Sequence, residues 1–260
     1  MNILLVGRGW IGNKVYDELI HREHNVEFCS HSNVFEKLTR PYSSTKYDWV
    51  VNCAGITGTP NIDACEFDKE NTFNGNTLFP INLSNAVDTY GARLAHFSSG
   101  CIYDGTINSP DSPPNFFENT YSVSKGLADT FLRNRAHVYR IHLPFTGLDE
   151  PKNLLTKIIK YSKTGKLFDS GPNSLSDLHE AIYVACELME DNVPNGPYNL
   201  VNSGSITVNQ LVDMMGISAN WFTGEISSTV KRSNCVIPAY YKMRSVEDAL
   251  QDAINKLLDK

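Results

Sequence analysis

The sequence predicts an α/β protein built on a doubly wound parallel sheet, with a smaller C-terminal lobe. Three observations support this prediction: short apolar runs alternate with helical patterns, a glycine-rich turn follows the first run, and the pattern changes after Pro144. Alternating strands and helices are typical of a parallel sheet covered by helices on both faces. Such sheets bind ligands at the carboxyl ends of their strands, so the residues that follow each strand are the candidate site residues.

The elements follow one another in a regular order. Apolar runs predict five strands at 2–6, 26–29, 49–52, 94–98 and 138–143. Helical patterns occur after the glycine turn, through 76–90 and at 121–133. Beyond Pro144, helical patterns at 152–163, 177–190 and 207–215 are separated by Gly- and Pro-containing segments. We therefore expect a nucleotide-binding domain over 1–145 and a lobe over 146–260 that interleaves with the late strands.

Composition excludes several classes of protein. The chain has 260 residues and a formal net charge of −6, with no run of Lys or Arg that would attract nucleic acid. No apolar stretch approaches the roughly 20 residues that cross a bilayer. The six cysteines show neither CxxC pairing nor the density of a disulfide scaffold. We expect a cytoplasmic protein without a nucleic-acid partner, membrane contact or metal site.

The first turn carries a GxGxxG pattern. It consists of Gly7, Arg8, Gly9, Trp10, Ile11 and Gly12. Glycines in this pattern allow a tight turn and a close approach of the backbone, and the helix that follows directs free N–H groups at a pyrophosphate. The pattern begins directly after a strand and opens an amphipathic helix, the context that this mechanism requires. It therefore predicts a Rossmann-type dinucleotide site.

The end of the second strand predicts which dinucleotide binds. An Asp or Glu there would accept hydrogen bonds from the adenosine ribose and favour NAD. The chain instead has Ser30 and His31, and Arg8 in the glycine turn can pair with an extra phosphate. We therefore expect NADP(H). An unpaired surface charge remains the alternative interpretation of Arg8.

Further cofactor contacts are predicted after later strands. Asn52, Ala54 and Gly55 follow the third strand, where small residues let the loop pass close to a dinucleotide. A plain turn at the end of a strand explains them equally well. Asn76 heads the next helix and Pro144 follows the fifth strand, and both are predicted to line the same site.

A phenol and an ammonium occur four residues apart in Tyr121-Ser122-Val123-Ser124-Lys125. This spacing puts both groups on one face of a helix. A nearby cation favours the phenolate of tyrosine, so Tyr121 can exchange a proton with a carbonyl oxygen. Ser99, at the end of the fourth strand, is the expected hydrogen-bond donor to the same oxygen, although periodicity alone also allows Ser98.

Several segments together resemble one enzyme family. They are Gly7–Gly12, 55–63, 99–103, 114–117, 121–125 and 232–234. The sequence is similar over nearly its whole length to the nucleotide-rhamnose synthases, which are 3,5-epimerase/4-reductases for nucleotide-linked 4-keto-6-deoxyhexoses. These are similar in turn to dTDP-4-dehydrorhamnose reductases. The resemblance implies a short-chain dehydrogenase/reductase that epimerises and reduces such a sugar with NADPH to a rhamnose-type product.

The resemblance also implies roles for individual residues. Tyr121, Lys125 and Ser99 would form the reductase triad, and Cys101 and Lys157 would transfer the protons of epimerisation. The nucleotide sugar would contact Thr57, Asn61, Asn153, Asn173 and Arg232. From the residues alone, Cys101 can equally be a packing residue and Lys157 an exposed helix charge.

Three other functions compete with this one. A 4,6-dehydratase carries an adjacent Asp-Glu pair where this chain has Gly100-Cys101, so it is disfavoured. A monofunctional reductase and a non-catalytic NADP-binding regulatory subunit are alternatives, the latter disfavoured because Tyr121 and Lys125 are both present. The sequence does not determine the nucleotide base, the C2 substituent, epimerisation at C5 or the oligomeric state, although a homodimer is compatible with it.

Overall fold

Six parallel strands form the central sheet of the protein, in the order β2-β1-β3-β4-β6-β7. A computed structural model describes residues 1–39, 46–167, 170–222 and 230–258. The strands of the sheet are β1 (Asn2–Val6), β2 (Asn25–Cys29), β3 (Trp49–Asn52), β4 (Arg93–Ser99), β6 (His137–Ile141) and β7 (Gly196–Asn199). Two short strands, β5 (Gly105–Thr106) and β8 (Cys235–Val236), pair separately. The predicted doubly wound parallel sheet is confirmed.

Helices cover both faces of this sheet. They are α1 (Trp10–His21), α2 (Val34–Thr39), α3 (Lys69–Phe73), α4 (Phe79–Tyr90), α5 (Thr120–Leu132), α6 (Leu154–Thr164), α7 (Leu178–Glu190), α8 (Val208–Met215) and α9 (Val246–Leu258). Alternate residues of β1 point to opposite faces: Ile3 joins the core under α1 and α7, and Leu4 the core under α4 and α5. None of the described helices is long and apolar enough to span a membrane.

The C-terminal half contributes to the sheet and also builds a second core. Helix α7 packs against α1, and β7 pairs with β6 at the edge of the sheet. Buried residues of α6, α8 and α9 form a separate apolar cluster around Phe145. Helix α7 and strand β7 (178–199) therefore belong to the central sheet and its covering helices, although they follow residue 145. A domain boundary at residue 145 stays a prediction.

The sequence missed or misplaced a few elements. Strand β7 was not predicted because Gly196 and Pro197 resemble a turn, but an edge strand tolerates proline since one side of it needs no ladder hydrogen bond. The predicted fifth strand extended to Leu143, but β6 ends at Ile141, and Leu143 has a positive φ of 41°. The helices α2 and α9 were also not predicted.

A buried ion pair fixes α5 against the sheet. The Arg140 guanidinium of β6 donates to both carboxylate oxygens of Asp129 on α5, at 2.6 and 2.9 Å, and both side chains are fully buried. The Ser98 hydroxyl of β4 donates to the same carboxylate at 2.7 Å. Helix α5 is therefore held to two neighbouring strands one turn beyond Lys125.

We predict that this ion pair is a major contributor to stability. Asp129→Asn should lower the free energy of unfolding by about 3–5 kcal/mol, because the buried Arg140 charge would lose its counter-charge. Asp88→Asn, which removes the exposed partner of Arg135, is the control and should cost less than about 1 kcal/mol. Urea unfolding followed by circular dichroism measures both values. Equal losses in the two variants would contradict the prediction.

Candidate active site

The glycine turn after β1 forms a tightly packed cradle. Gly7 has a φ of +97°, and a Cβ placed on it would lie 2.7 Å from the backbone nitrogen of Ala54 in the loop after β3. A Cβ on Gly12 would lie only 1.9 Å from the carbonyl oxygen of Gly7. A side chain at position 7 would push the turn away from the loop after β3, and a side chain at position 12 would push α1 away from the turn. Glycine is therefore required here for backbone contact.

The start of α1 is available to an anion. The N-cap residue Gly9 provides no side-chain hydrogen bond, and Trp10 and Ile11 begin the helix without an acidic residue in its first turn. The first N–H groups of a helix have no partner within it and attract phosphates. The turn lies between β1 and β3, where the strand order reverses and ligands of such sheets bind. These residues fit a dinucleotide pyrophosphate.

Residues near the end of β2 are exposed beside this cradle. The Arg8 guanidinium lies 4.5 Å from the centre of the Phe28 ring on β2, and Ser30 and His31 follow that strand. Arg8 forms no ion pair within the described parts of the chain. An exposed arginine, a serine and a histidine therefore border the position that would receive an adenosine ribose.

Asn52 and Asn76 support the loop after β3 rather than facing outward. Asn52 is fully buried; its side chain accepts from the Ala54 N–H and contacts His96. The Asn76 amide bonds both backbone groups of Ile56 and also donates to Ser124 on α5. These bonds fix Ala54 and Gly55 next to the cradle. Direct contacts of the two asparagines with a cofactor stay predictions.

Ser99 and Tyr121 meet at the carboxyl end of β4. The Ser99 side chain interacts with the Tyr121 phenol, and the Ser99 oxygen accepts the N–H of Cys101 at 3.1 Å. Ser98, by contrast, points to the opposite face and donates to Asp129. Of the two serines that periodicity allowed, only Ser99 lies beside the phenol. Tyr121 is held in the first turn of α5, whose N-cap is Asn119.

Lys125 is buried one helical turn after Tyr121. Its Nζ donates to the Phe97 carbonyl of β4 at 3.0 Å, and burial lowers its pKa to about 8. The sequence predicted that this cation lowers the pKa of Tyr121, but burial and the negative charge of Cys101 raise that pKa above its usual value. The ammonium is directed at a carbonyl instead. Tyr121 is therefore a protonated phenol, which suits donation of a proton.

Cys101 lies next to a residue that sequence analysis missed. The Cys101 Sγ is 3.6 Å from Nδ1 of His142, which directly follows β6. Burial would raise the pKa of the Cys101 thiol, but the charge of His142 and hydrogen bonds from His142, Ser99 and Ser233 lower it to about 7. A polar residue close to the carboxyl end of the predicted strand 138–143 was the signal that could have identified His142.

Arg232 borders a cleft and also contacts the segment after β3. The Asn61 side chain caps the short helix 62–66, and Arg232 pairs with Asp63 in that helix. The second guanidinium nitrogen, Nη1, is buried without a hydrogen-bond partner among the described residues. A cleft of about 520 Å³ opens beside Arg232 and is lined by Phe116 and Phe117. Thr57 is exposed on the same loop as Asn61.

Other predicted residues do not join this group. Asn153 is fully buried, caps α6 and uses its whole amide within the 146–153 turn. The Asn173 amide bonds His142, Cys235 and neighbouring groups inside the protein. The geometry gives both residues structural roles, and their contacts with substrate stay predictions.

Lys157 and Pro144 lie at the border between the sheet and the second core. Lys157 is partly buried on α6, which lowers its pKa, and no hydrogen bond or ion pair joins it to Cys101 or Tyr121 within the described residues. Pro144 is half-buried after β6, and its carbonyl accepts the N–H of Leu154 at the start of α6. Their roles in catalysis and cofactor binding stay predictions.

The sequence matches the RmlD substrate binding domain over residues 1–214. A bifunctional dTDP-4-dehydrorhamnose 3,5-epimerase/dTDP-4-dehydrorhamnose reductase of Arabidopsis thaliana is 28% identical over 228 residues, covering 82% of this chain and 74% of that protein. A trifunctional UDP-glucose 4,6-dehydratase/UDP-4-keto-6-deoxy-D-glucose 3,5-epimerase/UDP-4-keto-L-rhamnose-reductase of the same plant is 27% identical over 82% of this chain. The matched region spans only 33% of the trifunctional protein.

Solved structures share the fold over almost the whole chain. A UDP-rhamnose synthase from Acanthamoeba polyphaga mimivirus superposes with a TM-score of 0.85 and 23% identity, covering 98% of this chain and 99% of that one. A dTDP-4-dehydrorhamnose reductase from Bacillus anthracis, solved in complex with NADP, gives a TM-score of 0.75 and 16% identity, with 97% of each chain covered. At these identities the similarity establishes the common architecture.

We predict that Gly9→Ala weakens dinucleotide binding without affecting the fold. A Cβ on Gly9 meets no atom within 4 Å, and its φ of −78° suits alanine. The melting temperature should therefore stay at the wild-type value, whereas the dissociation constant for NADPH should rise at least about tenfold because the methyl group occupies the path of the pyrophosphate. Thermal unfolding and fluorescence titration measure the two effects.

Gly12→Ala is the matched comparison, since its Cβ would collide with the backbone of Gly7. That variant should lose thermal stability as well as binding. Wild-type NADPH affinity in Gly9→Ala would contradict the assignment of the cradle.

Proposed function

Because the chain belongs to the RmlD substrate binding domain family, we propose that it is an NADPH-dependent reductase of a nucleotide-linked 4-keto-6-deoxyhexose in rhamnose synthesis. The observation that carries this proposal is the position of Ser99 beside Tyr121, with Lys125 on the same helix, at the carboxyl edge of a sheet that also holds the glycine cradle. Two hydroxyls there can bind one ketone oxygen. The named activities of the relatives support the same reaction class.

The cofactor would be held by the cradle and its border. Gly7, Gly9 and Gly12 would admit the pyrophosphate at the start of α1, and Arg8 with Ser30 would receive the ribose phosphate. NADP is present in the Bacillus anthracis structure with this fold, which supports the choice of dinucleotide. When bound, NADPH supplies a hydride to the ketone carbon.

The chain's own contribution to reduction is proton donation. The protonated Tyr121 phenol would transfer its proton to the ketone oxygen as that oxygen gains negative charge, while the Ser99 hydroxyl donates a hydrogen bond to the same atom. The Ser99 oxygen accepts the Cys101 N–H, which orients the hydroxyl, and its hydrogen would turn to the ketone oxygen when substrate binds. The Lys125 ammonium, whose pKa is about 8, would stabilise the resulting phenolate.

The finer proposal is that the same chain also epimerises the sugar at C3. Both Arabidopsis relatives carry 3,5-epimerase activity in their names. A carbon next to a ketone is acidic, and Cys101, with a pKa lowered to about 7, lies beside the proposed ketone site. The Cys101 thiolate would remove the C3 proton, and Lys157, whose pKa burial lowers, would return a proton to the opposite face. Epimerisation at C5 would use the same chemistry.

The nucleotide-sugar substrate would extend from Ser99 into the cleft beside Arg232. The Arg232 guanidinium, whose buried Nη1 has no hydrogen-bond partner among the described residues, and the exposed Phe117 ring suit a diphosphate and a base, respectively. Thr57, which is exposed, and Asn61 on the loop after β3 would contact the substrate as it enters. A UDP- or dTDP-linked sugar, with hydroxyl or acetamido at C2, is compatible with these groups.

We predict that Tyr121→Phe separates the two reactions. Its kcat for reduction should fall at least about 100-fold, because the general acid is lost. Exchange of deuterium into C3 in heavy water, without NADPH, should persist because that step uses Cys101. A panel of UDP- and dTDP-linked 4-keto-6-deoxy sugars, with NADPH oxidation and NMR of the products, measures both reactions.

Tyr198→Phe is the control for loss of a partly buried phenol, since the Tyr198 hydroxyl donates to the Pro194 carbonyl away from the site. Reduction by Tyr121→Phe at more than about a tenth of the wild-type kcat would refute the role of Tyr121. Reduction by the wild type without any exchange at C3 would leave a monofunctional reductase.

We predict that Arg8→Ala reduces the preference for NADPH over NADH. The ratio of kcat/KM for the two cofactors should fall about tenfold or more, because one charge-assisted hydrogen bond contributes about 1.5–3 kcal/mol. The control is Arg135→Ala, which removes an exposed arginine that pairs with Asp88 away from the cradle. Equal use of both cofactors by the wild type would refute the assignment of Arg8.

A further inference from the structure

Four side chains from separate segments meet behind the carboxyl ends of β4 and β6. Cys101 follows β4, His142 follows β6, and Asn173 and Cys235 come from the C-terminal half. Strands β4 and β6 are neighbours, with Ser99 opposite Ile141, so the residues that follow them are brought side by side. His142 is almost fully buried and has no role in the reduction described above.

Asn173 fixes the orientation of the His142 ring. The Asn173 Oδ1 accepts the backbone N–H of Cys235 at 3.0 Å, and its Nδ2 donates to the Gly171 carbonyl at 2.9 Å, so the amide orientation is determined. The same Oδ1 lies 3.2 Å from Nε2 of His142 and therefore receives the Nε2–H. The His142 backbone N–H is held by the Ser176 hydroxyl. Nδ1 is consequently left to face the Cys101 sulfur.

The backbone before Cys101 is shaped to fit this ring. A Cβ on Gly100 would lie 2.7 Å from Cβ of His142, so only glycine allows the loop to pass over the imidazole. The Cys101 Sγ then lies 3.6 Å from Nδ1, while its backbone N–H is bound by Ser99. The thiol is thus fixed between the imidazole and the Ser99–Tyr121 pair, with part of the residue still exposed.

We propose that His142 is a positioning residue that holds Cys101 as a thiolate, directed at the carbon next to the ketone, and that Asn173 maintains His142 in this role. This inference rests on the proposed epimerase function. It assigns Asn173 to the support of His142 rather than to substrate. It also gives a reason for the glycine at position 100. Gly100 makes room for the His142 imidazole after β6, and that imidazole favours the thiolate form of Cys101.

The proposed proton transfer changes no oxidation state, and every bond that forms is matched by one that breaks. The Cys101 thiolate forms an S–H bond as the C3–H bond breaks, and the electron pair of that bond forms a C3–C4 double bond. The former carbonyl pair moves to the C4 oxygen, which the Ser99 and Tyr121 hydroxyls stabilise. His142 stays protonated throughout and supplies the counter-charge of the resting thiolate. A proton from Lys157 or solvent then returns to C3 from the other side.

The titratable groups that face this pair come from two segments. Tyr121 on α5 interacts with Cys101, and Cys235 on β8 lies 3.6 Å from Nε2 of His142. Burial opposes the charged form of His142, yet interactions with Cys235 and Cys101 raise its pKa well above 6.5. The Cys235 Sγ–H donates to the Gly100 carbonyl, which leaves Cys101 as the sulfur facing Nδ1. The two pKa shifts therefore both act in the direction of an imidazolium–thiolate pair.

The experiment compares His142→Gln with His137→Gln in the full chain. His137 is an equally buried histidine at the other end of β6, bound to Tyr139 and Val193, so it controls for the loss of a histidine from this strand. The pH dependence of Cys101 alkylation by iodoacetamide is followed by peptide mass spectrometry. Thermal unfolding checks the fold, and His142→Asn provides a second variant if the glutamine variant is unfolded.

The wild type and His137→Gln should show alkylation midpoints near pH 7, and His142→Gln a midpoint at or above 9. At pH 7 alkylation should slow about fivefold, because the smaller thiolate fraction is partly offset by greater nucleophilicity. Deuterium exchange at C3 should show the same shift in its pH profile. Reduction of an already epimerised substrate should stay within about threefold of the wild type, because Tyr121 and Ser99 are intact.

The two readouts separate failure of the inference from failure of the proposed function. An unchanged alkylation midpoint in a folded His142→Gln variant overturns the role of His142, whatever the wild type does with sugars. Absence of C3 exchange in the wild type, with a shifted midpoint in His142→Gln, overturns the epimerase function and supports the Cys101–His142 pair.

Discussion

The ion pair of Asp129 and Arg140 is the interaction on which the rest of the site depends. It joins α5 to β6 where both side chains are fully buried, and Ser98 adds β4 to the same carboxylate. A buried charge without its partner is strongly destabilising. Sliding α5 along the sheet would break this pair, so the pair fixes the position of the helix. Tyr121 and Lys125 occupy the preceding turns of the same helix. Their positions relative to Ser99 therefore follow from a contact that takes no part in the chemistry.

The parallel sheet brings together groups that are distant in the chain. The glycine turn follows β1, the Ala54 loop follows β3, Cys101 follows β4 and His142 follows β6, and these strands are consecutive neighbours. Because all strands point the same way, their carboxyl ends form one edge. The close packing of Gly7 against Ala54 and of Gly100 against His142 shows how little space separates the segments at this edge. Both glycine positions are consequences of that crowding.

Burial and neighbouring charges together set the pKa values of three titratable groups at this edge of the sheet. Tyr121 is buried with a thiolate nearby and stays protonated, Lys125 is buried and loses part of its affinity for a proton, and Cys101 gains negative character from His142. The reductase chemistry needs a proton donor, and the proposed epimerase chemistry needs a base. Tyr121 can supply the proton donor and Cys101 the base, because the two side chains have different charged neighbours.

The sequence by itself determined the sheet, the glycine turn and the Tyr121–Lys125 pair. Each depends only on the periodicity or spacing of residues within one strand, turn or helix. It did not determine β7, which resembles a turn, or the choice between Ser98 and Ser99, since both follow the same strand. The pKa directions of Tyr121 and Cys101, the internal use of Asn153 and Asn173, and the pairing of Cys101 with His142 were decided by tertiary structure alone. They depend on which strand ends are neighbours and on which atoms are removed from water, and these are properties of packing between segments far apart in the chain.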